Sequence, residues 1–106
     1  MGIAEETLQI IHSLAKARDF TIAERPKNIA AFIKLCYSPS YTDDVADVVE
    51  SLEIGDCTKG PEPDEDGYEG EVYIFNKLIK GLSIYIKLRV LEQDGMTYMS
   101  VISFHN

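Results

Sequence analysis

The 106-residue chain has no tryptophan, only two cysteines, and 10 lysine and arginine residues against 18 aspartate and glutamate residues. Cys36 and Cys57 are too few for a disulfide scaffold, and neither has the nearby Cys or His partners that a zinc site needs. No apolar run approaches the length of a membrane span or a secretory signal, and residues 1–6 lack a basic segment. These absences predict a cytoplasmic protein whose cysteines are reduced and structural.

Common catalytic and nucleotide-binding motifs are also missing from the sequence. It contains no nucleophile elbow, no glycine-rich phosphate loop, no HExxH and no paired CxxC, which excludes the commonest hydrolases, nucleotide binders and zinc modules. His12 lies in the first predicted helix, far from other titratable partners, and is expected to be structural. The length suffices for one hydrophobic core but not for two, so we expect a single domain over residues 1–106.

The formal net charge of −8 argues against a domain that binds nucleic acid over its whole surface, because such binding needs a basic stripe. The charge is uneven along the chain. Residues 1–70 hold 6 Lys and Arg against 15 Asp and Glu, a net charge of −9, whereas residues 71–106 hold 4 against 3, a net charge of +1. The acidic residues are therefore concentrated in the first two thirds.

The first half of the chain shows helical periodicity. Between residues 3 and 18, apolar residues recur at the spacing of an amphipathic helix, at Leu8, Ile11, Leu14 and Ala15. Pro26 suits the first turn of a second helix, which ends at Cys36. Thr42 offers an N-cap to a third helix, which ends by Gly55. We therefore expect about three N-terminal helices.

The remainder of the chain predicts a loop followed by strands. Residues 55–70 are rich in Gly, Pro, Asp and Glu without periodicity, which indicates an exposed loop; its acidic run 64–67 lacks the ligand spacing of a calcium loop. Strands are predicted from residue 71, over 82–91 and over 96–104, with turns at 80–81 and 93–95. The predicted fold is α+β, with the helices packed on one face of a three-stranded antiparallel β-meander and the other face free.

The strand 82–91 alternates so regularly that Tyr85, Lys87 and Arg89 must share one side. Ser103 and His105 share a side of the next strand, and the sequence leaves open whether the two sides coincide. Metal-free RNA cleavage requires a base for the 2′-hydroxyl, an acid for the leaving 5′-oxygen and cations for the transition state. His105 could be the base or the acid, with Lys87 and Arg89 as the cations.

Non-catalytic interpretations of these residues stay open. Lys87 and Arg89 could simply keep a strand face hydrated, and His105 could be a frayed terminal residue. Lys59 stands alone among acidic residues, and is either a phosphate ligand or a local counterion.

Five segments, in order along the chain, look similar to segments of a known family: Arg25-Pro26-Lys27-Asn28, Gly60-Pro61-Glu62-Pro63-Asp64, Val72-Tyr73-Ile74-Phe75-Asn76-Lys77, Tyr85-Ile86-Lys87-Leu88 and Ile102-Ser103-Phe104-His105. They resemble the MqsR-like toxins of bacterial type II toxin-antitoxin systems over about residues 25 to 105, as a divergent and acidic member of that family would. The resemblance implies a RelE-like fold and a messenger-RNA endonuclease, or mRNA interferase, that a cognate antitoxin silences. It implies catalytic roles for Tyr85 and His105, places Lys77 and Lys87 near one face, and matches Lys59 to a family lysine.

The leading hypothesis from the sequence is a metal-independent endoribonuclease toxin without a cofactor. In it His105, Tyr85 and Lys87 are catalytic, and Arg89, Lys77 and Lys59 hold RNA phosphates. The expected partners are RNA and the antitoxin, with no membrane. The acidic composition favours an alternative, a catalytically inactive binding module that pairs with a basic antitoxin or another protein. A small-molecule-binding or metal-binding regulator is the third possibility.

Overall fold

A computed structural model describes residues 3–106, so Met1 and Gly2 of the predicted domain lie outside the described residues. The helices are α1 (Glu5–Lys16), α2 (Pro26–Lys34) and α3 (Thr42–Glu50), followed by a short 3-10 helix (Ile54–Asp56). The strands are β1 (Thr21–Ile22), β2 (Cys57–Pro63), β3 (Glu71–Ile79), β4 (Leu82–Gln93) and β5 (Met96–His105). The predicted α+β class is confirmed. Within residues 3–106, every helix is too short or too polar to cross a membrane.

The sheet has five strands in the order β1-β5-β4-β3-β2. Strands β3, β4 and β5 pair antiparallel, β2 adds an antiparallel edge next to β3, and β1 pairs parallel with β5 at the other edge. The prediction of a three-stranded sheet is therefore wrong in strand number. The predicted exposed loop 55–70 contains β2, whose Gly and Pro residues and irregular register fit an edge strand without apolar alternation.

The three helices cover one face of the sheet. Helix α1 packs on α3, and α2 packs on β5. The fully buried core side chains come from both layers, and include Ile11, Leu35, Val49, Phe75, Ile86, Leu88 and Phe104. Burial of these apolar surfaces is the main favourable contribution to folding.

Helix α3 begins differently from the prediction. Thr42 is its first residue rather than its N-cap; Tyr41 takes the N-cap position with a left-handed φ of 44°. The Thr42 hydroxyl donates to the carbonyl of Ser40 at 3.1 Å. At the outer surface Arg18 joins α1 to α3 through Asp43, whose Oδ1 lies 2.8 Å from the guanidinium.

Strand β5 contains a bulge. Its register pairs Leu88 with Val101 but Lys87 with Ser103, so Ile102 is an extra residue without a partner on β4. Side chains alternate between the two faces of a strand, and one extra residue reverses that alternation.

The reversal decides which way the end of β5 faces. Met99 and Val101 belong to the core before the bulge, and Phe104 belongs to it afterwards. His105 therefore points away from the helices. Uninterrupted alternation would have placed His105 on the same side as Met99 and Val101, and Phe104 on the opposite side.

Asn28 of α2 holds this bulge. Its side chain is fully buried, and its Nδ2 donates to the carbonyls of Ala23 at 2.8 Å and of Ile102 at 3.1 Å. Its Oδ1 accepts a hydrogen bond from the N–H of Phe104 at 2.9 Å. The side-chain amide of Asn28 thus pairs with the edge of β5 as the backbone of a neighbouring strand would. It also holds the first turn of α2 against the bulge.

We predict that Gly70→Ala destabilises the fold by roughly 2–5 kcal/mol. Gly70 enters β3 with a φ of 109°, and a Cβ there would lie 2.7 Å from the carbonyl oxygen of Val90. The left-handed backbone costs about 1–2 kcal/mol and the overlap about 1–3 kcal/mol. Gly55→Ala is the control, because no atom lies within 4 Å of its added Cβ. Urea unfolding of both variants measures the loss of stability. Equal unfolding midpoints for Gly70→Ala and Gly55→Ala would contradict the prediction.

Candidate functional site

The face of the sheet opposite the helices, called the open face below, carries Tyr85, Lys87, Arg89 and His105 of the predicted site residues. Directly paired residues in an antiparallel sheet point to the same face. Three rows run across β3, β4 and β5: Asn76, Tyr85 and His105; Ile74, Lys87 and Ser103; Val72, Arg89 and Ser100. The question that the sequence left open is thereby answered, because His105 and Ser103 share a face with Tyr85, Lys87 and Arg89.

Tyr85 and His105 form a ring pair at one end of the open face. Their ring centroids lie 5.5 Å apart, with the planes inclined by 34°. Both side chains are half-buried, and the Nδ1 of His105 lies 3.4 Å from the carbonyl oxygen of Asn106. A phenol and an imidazole at this separation can both reach one phosphodiester group that lies above them on the open face.

The beginning of α2 adds two cations to this end of the face. Arg25, Pro26 and Lys27 line a shallow groove together with His105. Among residues 3–106, the side chains of Arg25 and Lys27 make no hydrogen bond or ion pair, and the first turn of α2 contains no acidic residue. The neighbouring carboxylate of Glu24 accepts a hydrogen bond from Tyr41 at 2.8 Å.

Sequence reasoning assigned no role to Arg25 and Lys27. The signal that could have found them is their place in the Arg-Pro-Lys-Asn segment, at the start of a helix. The N-terminus of a helix carries partial positive charge, which favours anions. The sequence alone could not show that this helix begins beside His105.

The ammonium group of Lys87 already contacts acidic residues of the same chain. The segment between β2 and β3, residues 64–70, is called the acidic loop below. The Lys87 Nζ lies 3.4 Å from Glu65 Oε1 and 3.9 Å from Asp64 Oδ1. The side chains of Lys87 and Asp64 are only 10% and 3% exposed, and Asp64 also accepts a hydrogen bond from the N–H of Tyr68 at 3.2 Å. The pair is therefore a buried feature of the fold.

The acidic loop also covers Arg89. Its guanidinium donates to the carbonyl of Glu69 at 3.2 Å and lies 5.0 Å from the ring centroid of Tyr68, a cation–π distance. Val72, in the same row as Arg89, is 1% exposed. The open face is thus free at the Tyr85 and His105 end and covered around Lys87 and Arg89, which corrects the expectation of a fully free face.

Lys77 lies on the other side of the sheet. It pairs with Ile84, a core residue, and its Nζ lies 3.4 Å from Asp56 Oδ2 and 3.3 Å from the carbonyl of Ser51. The expectation that Lys77 and Lys87 lie near one face is wrong, because Lys77 lies on the helix side of the sheet and Lys87 lies on the open face. Lys77 instead ties β3 to the segment that follows α3.

Lys59 is exposed on β2, opposite Ile74. Three strand spacings of about 4.8 Å separate β2 from β5, so Lys59 lies on the order of 14 Å or more from His105. Lys59 cannot contact the same phosphate as His105, but it can contact a phosphate further along a bound strand.

His12 was predicted to have a structural role. The Nε2 of His12 lies 2.7 Å from the carbonyl oxygen of Leu52, which ties α1 to the end of α3 and agrees with a structural role. Among residues 3–106, no group of three or more His, Cys, Asp or Glu side chains is arranged to hold a metal ion.

Comparisons with protein-family models, curated proteins and solved structures find no match to this chain. The resemblance to MqsR-like toxins therefore rests on the five sequence segments and stays a hypothesis.

We predict that Asp64 and Lys87 are energetically coupled by about 1 to 3 kcal/mol, as expected for buried partners in one network. Lys87→Met leaves the Asp64 carboxylate without its cation, so it destabilises the wild-type background more than a background that carries Asp64→Asn. A double-mutant cycle from urea unfolding measures the coupling. Lys34→Met on exposed α2 surface is the control and changes stability by about 0.5 kcal/mol or less. Strictly additive effects of the two substitutions would contradict the coupling.

Proposed function

We propose that this protein is a metal-independent endoribonuclease that cuts messenger RNA at the groove between His105 and the start of α2. The observation that carries the proposal is the Tyr85 and His105 ring pair beside the unpaired cations Arg25 and Lys27. A titratable pair next to fixed positive charge is the arrangement that acid–base cleavage of a phosphodiester needs.

The proposed reaction is an internal displacement at phosphorus. His105 as the base takes the proton of the 2′-hydroxyl, and the 2′-oxygen attacks the adjacent phosphorus. The bond to the 5′-oxygen breaks, and Tyr85 donates a proton to that leaving oxygen. The products are a 2′,3′-cyclic phosphate and a free 5′-hydroxyl. Arg25, Lys27 and the N-terminus of α2 stabilise the charge that develops on the phosphoryl oxygens.

The net charge of −8 is compatible with such a groove. At physiological ionic strength, charges on an exposed surface act over about 8 to 10 Å. The carboxylates of Asp43 and Asp47 contact Arg18 on the helix side, away from the open face. RNA binding is therefore a local property of the groove, and we expect it to weaken as salt is added.

We also propose the finer assignments that the resemblance implies. They are a RelE-like arrangement of the α+β fold, a type II toxin of the MqsR-like class, and silencing by a cognate antitoxin in the cytoplasm. Their support is that the Tyr-Ile-Lys-Leu segment supplies Tyr85 and Lys87, and the closing Ser-Phe-His segment supplies His105, on one face of the sheet. Lys77 has no place in the proposed site, and Lys87 and Arg89 reach RNA only if the acidic loop moves.

The acidic loop favours a second candidate. Glu65 and Tyr68 already contact the two basic residues of β4, in the way that a phosphate and a base would. A protein in this state would be a binding module without catalysis, whose acidic surface attracts a basic antitoxin. Folded protein that leaves RNA intact but binds a basic antitoxin, more weakly at high salt, would support this candidate over the enzyme.

We predict that the purified protein cleaves single-stranded messenger RNA in EDTA and that His105→Ala loses about 10²- to 10⁴-fold in rate, the contribution typical of an acid–base group. Primer extension locates the cuts. Lys34→Ala, which removes a cation from the exposed far end of α2, keeps the parental rate.

A 2′-deoxy substitution at the mapped position is the substrate control, because it removes the attacking oxygen and should abolish that cut alone. Equal cleavage by the parent and by folded His105→Ala protein would remove His105 from the mechanism. A parent that produces no cuts, with or without ribosomes, would favour the binding module.

A further inference from the structure

We propose that Asn28 is the positioning residue for His105, because its buried amide maintains the β5 bulge that brings His105 beside Tyr85. The inference rests on the proposed function for its catalytic consequence and on geometry alone for its structural part. The side-chain hydrogen bonds of Asn28 go to the backbone of Ala23, Ile102 and Phe104, so its effect on His105 passes through the backbone of β5.

The bulge determines the orientation of two consecutive side chains at the end of β5, Phe104 and His105. Phe104 must enter the core, where it is fully buried beside Phe32 at a centroid distance of 5.6 Å. His105 must then face the other way. Regular alternation from Val101 would reverse both orientations, so the extra residue Ile102 satisfies both at once.

A bulge leaves backbone groups unpaired in the strand ladder, and unpaired groups are costly when buried. At this bulge Asn28 pairs with two backbone groups of β5 beyond its last partner on β1, the carbonyl of Ile102 and the N–H of Phe104. Its second amide proton binds the carbonyl of Ala23, so both donors and the acceptor oxygen of the side chain are used. Asp would present a second acceptor to two carbonyls, and Leu would satisfy neither backbone group.

The same amide sets the distance between His105 and the cations. Asn28 is the third residue of α2, directly after Lys27, and its hydrogen bonds join this turn to Ile102 and Phe104, close to His105. Loss of the amide would therefore disturb the ring pair and its spacing from Arg25 and Lys27 together. A displacement of about 1 Å among reacting groups can reduce a rate by about 100-fold.

The test compares the parent with Asn28→Ala, using a single-stranded RNA oligonucleotide that contains a cut site mapped for the parent. Asn28→Ser keeps one hydroxyl donor and acceptor, and replaces Asn28→Ala if that variant does not fold. Val49→Ala is the stability control, because Val49 is a fully buried apolar residue of α3 that takes no part in the hydrogen bonds at the β5 bulge. All variants are assayed at a temperature at which circular dichroism shows them folded.

We expect Asn28→Ala to lower kcat by about 100-fold while KM stays nearly unchanged, and Val49→Ala to keep the parental kcat. In parallel, nuclear Overhauser effects between the ring protons of Tyr85 and His105 should disappear in Asn28→Ala and persist in Val49→Ala. Parental kcat and intact ring contacts in folded Asn28→Ala would overturn the proposal. If the parent itself does not cleave RNA, the proposed function fails, and the ring contacts alone decide the positioning role.

Discussion

The hydrogen bonds of the Asn28 side chain are the constraint on which the candidate site depends. They hold one extra residue in β5, and this residue reverses the facing of everything after Val101. Phe104 thereby completes the core while His105 reaches the face that carries Tyr85. The core and the site are thus set by a single local feature, since a regular strand would expose Phe104 and turn His105 towards the helices.

The distribution of charge divides the open face into two parts. Around Lys87 and Arg89, the acidic loop supplies carboxylates, a carbonyl and an aromatic ring, so these cations contribute to the fold as it stands. Around His105, Arg25 and Lys27 make no such contacts within residues 3–106. Buried or half-buried cations with carboxylate partners interact weakly with an added anion, whereas exposed unpaired cations interact with it directly. The proposed chemistry therefore lies at the free end of the face.

Periodic patterns of apolar residues in the sequence predicted the three helices and the two faces of β4. The alternation in β4 placed Tyr85, Lys87 and Arg89 on one face, and the helical spacing located three helices. The sequence did not predict β1, which is two residues long, or β2, whose Gly and Pro residues form an edge strand through backbone pairing alone. Lys77 was misplaced by the resemblance, and the apolar stretch from Val72 to Phe75 has no alternation from which its side of the sheet could be predicted instead. The side of His105 depends on a bulge in β5 that the sequence pattern does not indicate.

The central claim is that RNA binds at the His105 end of the open face, and chemical-shift mapping tests it most directly. The isotope-labelled protein is titrated at low salt with a 2′-deoxy analogue of the RNA oligonucleotide, which cannot be cleaved by the proposed route. We expect perturbations that centre on His105, Tyr85, Arg25 and Lys27 and leave the surroundings of Lys77 unchanged. Perturbations confined to the helix side of the sheet, or none at concentrations that saturate ordinary single-strand binders, would contradict it.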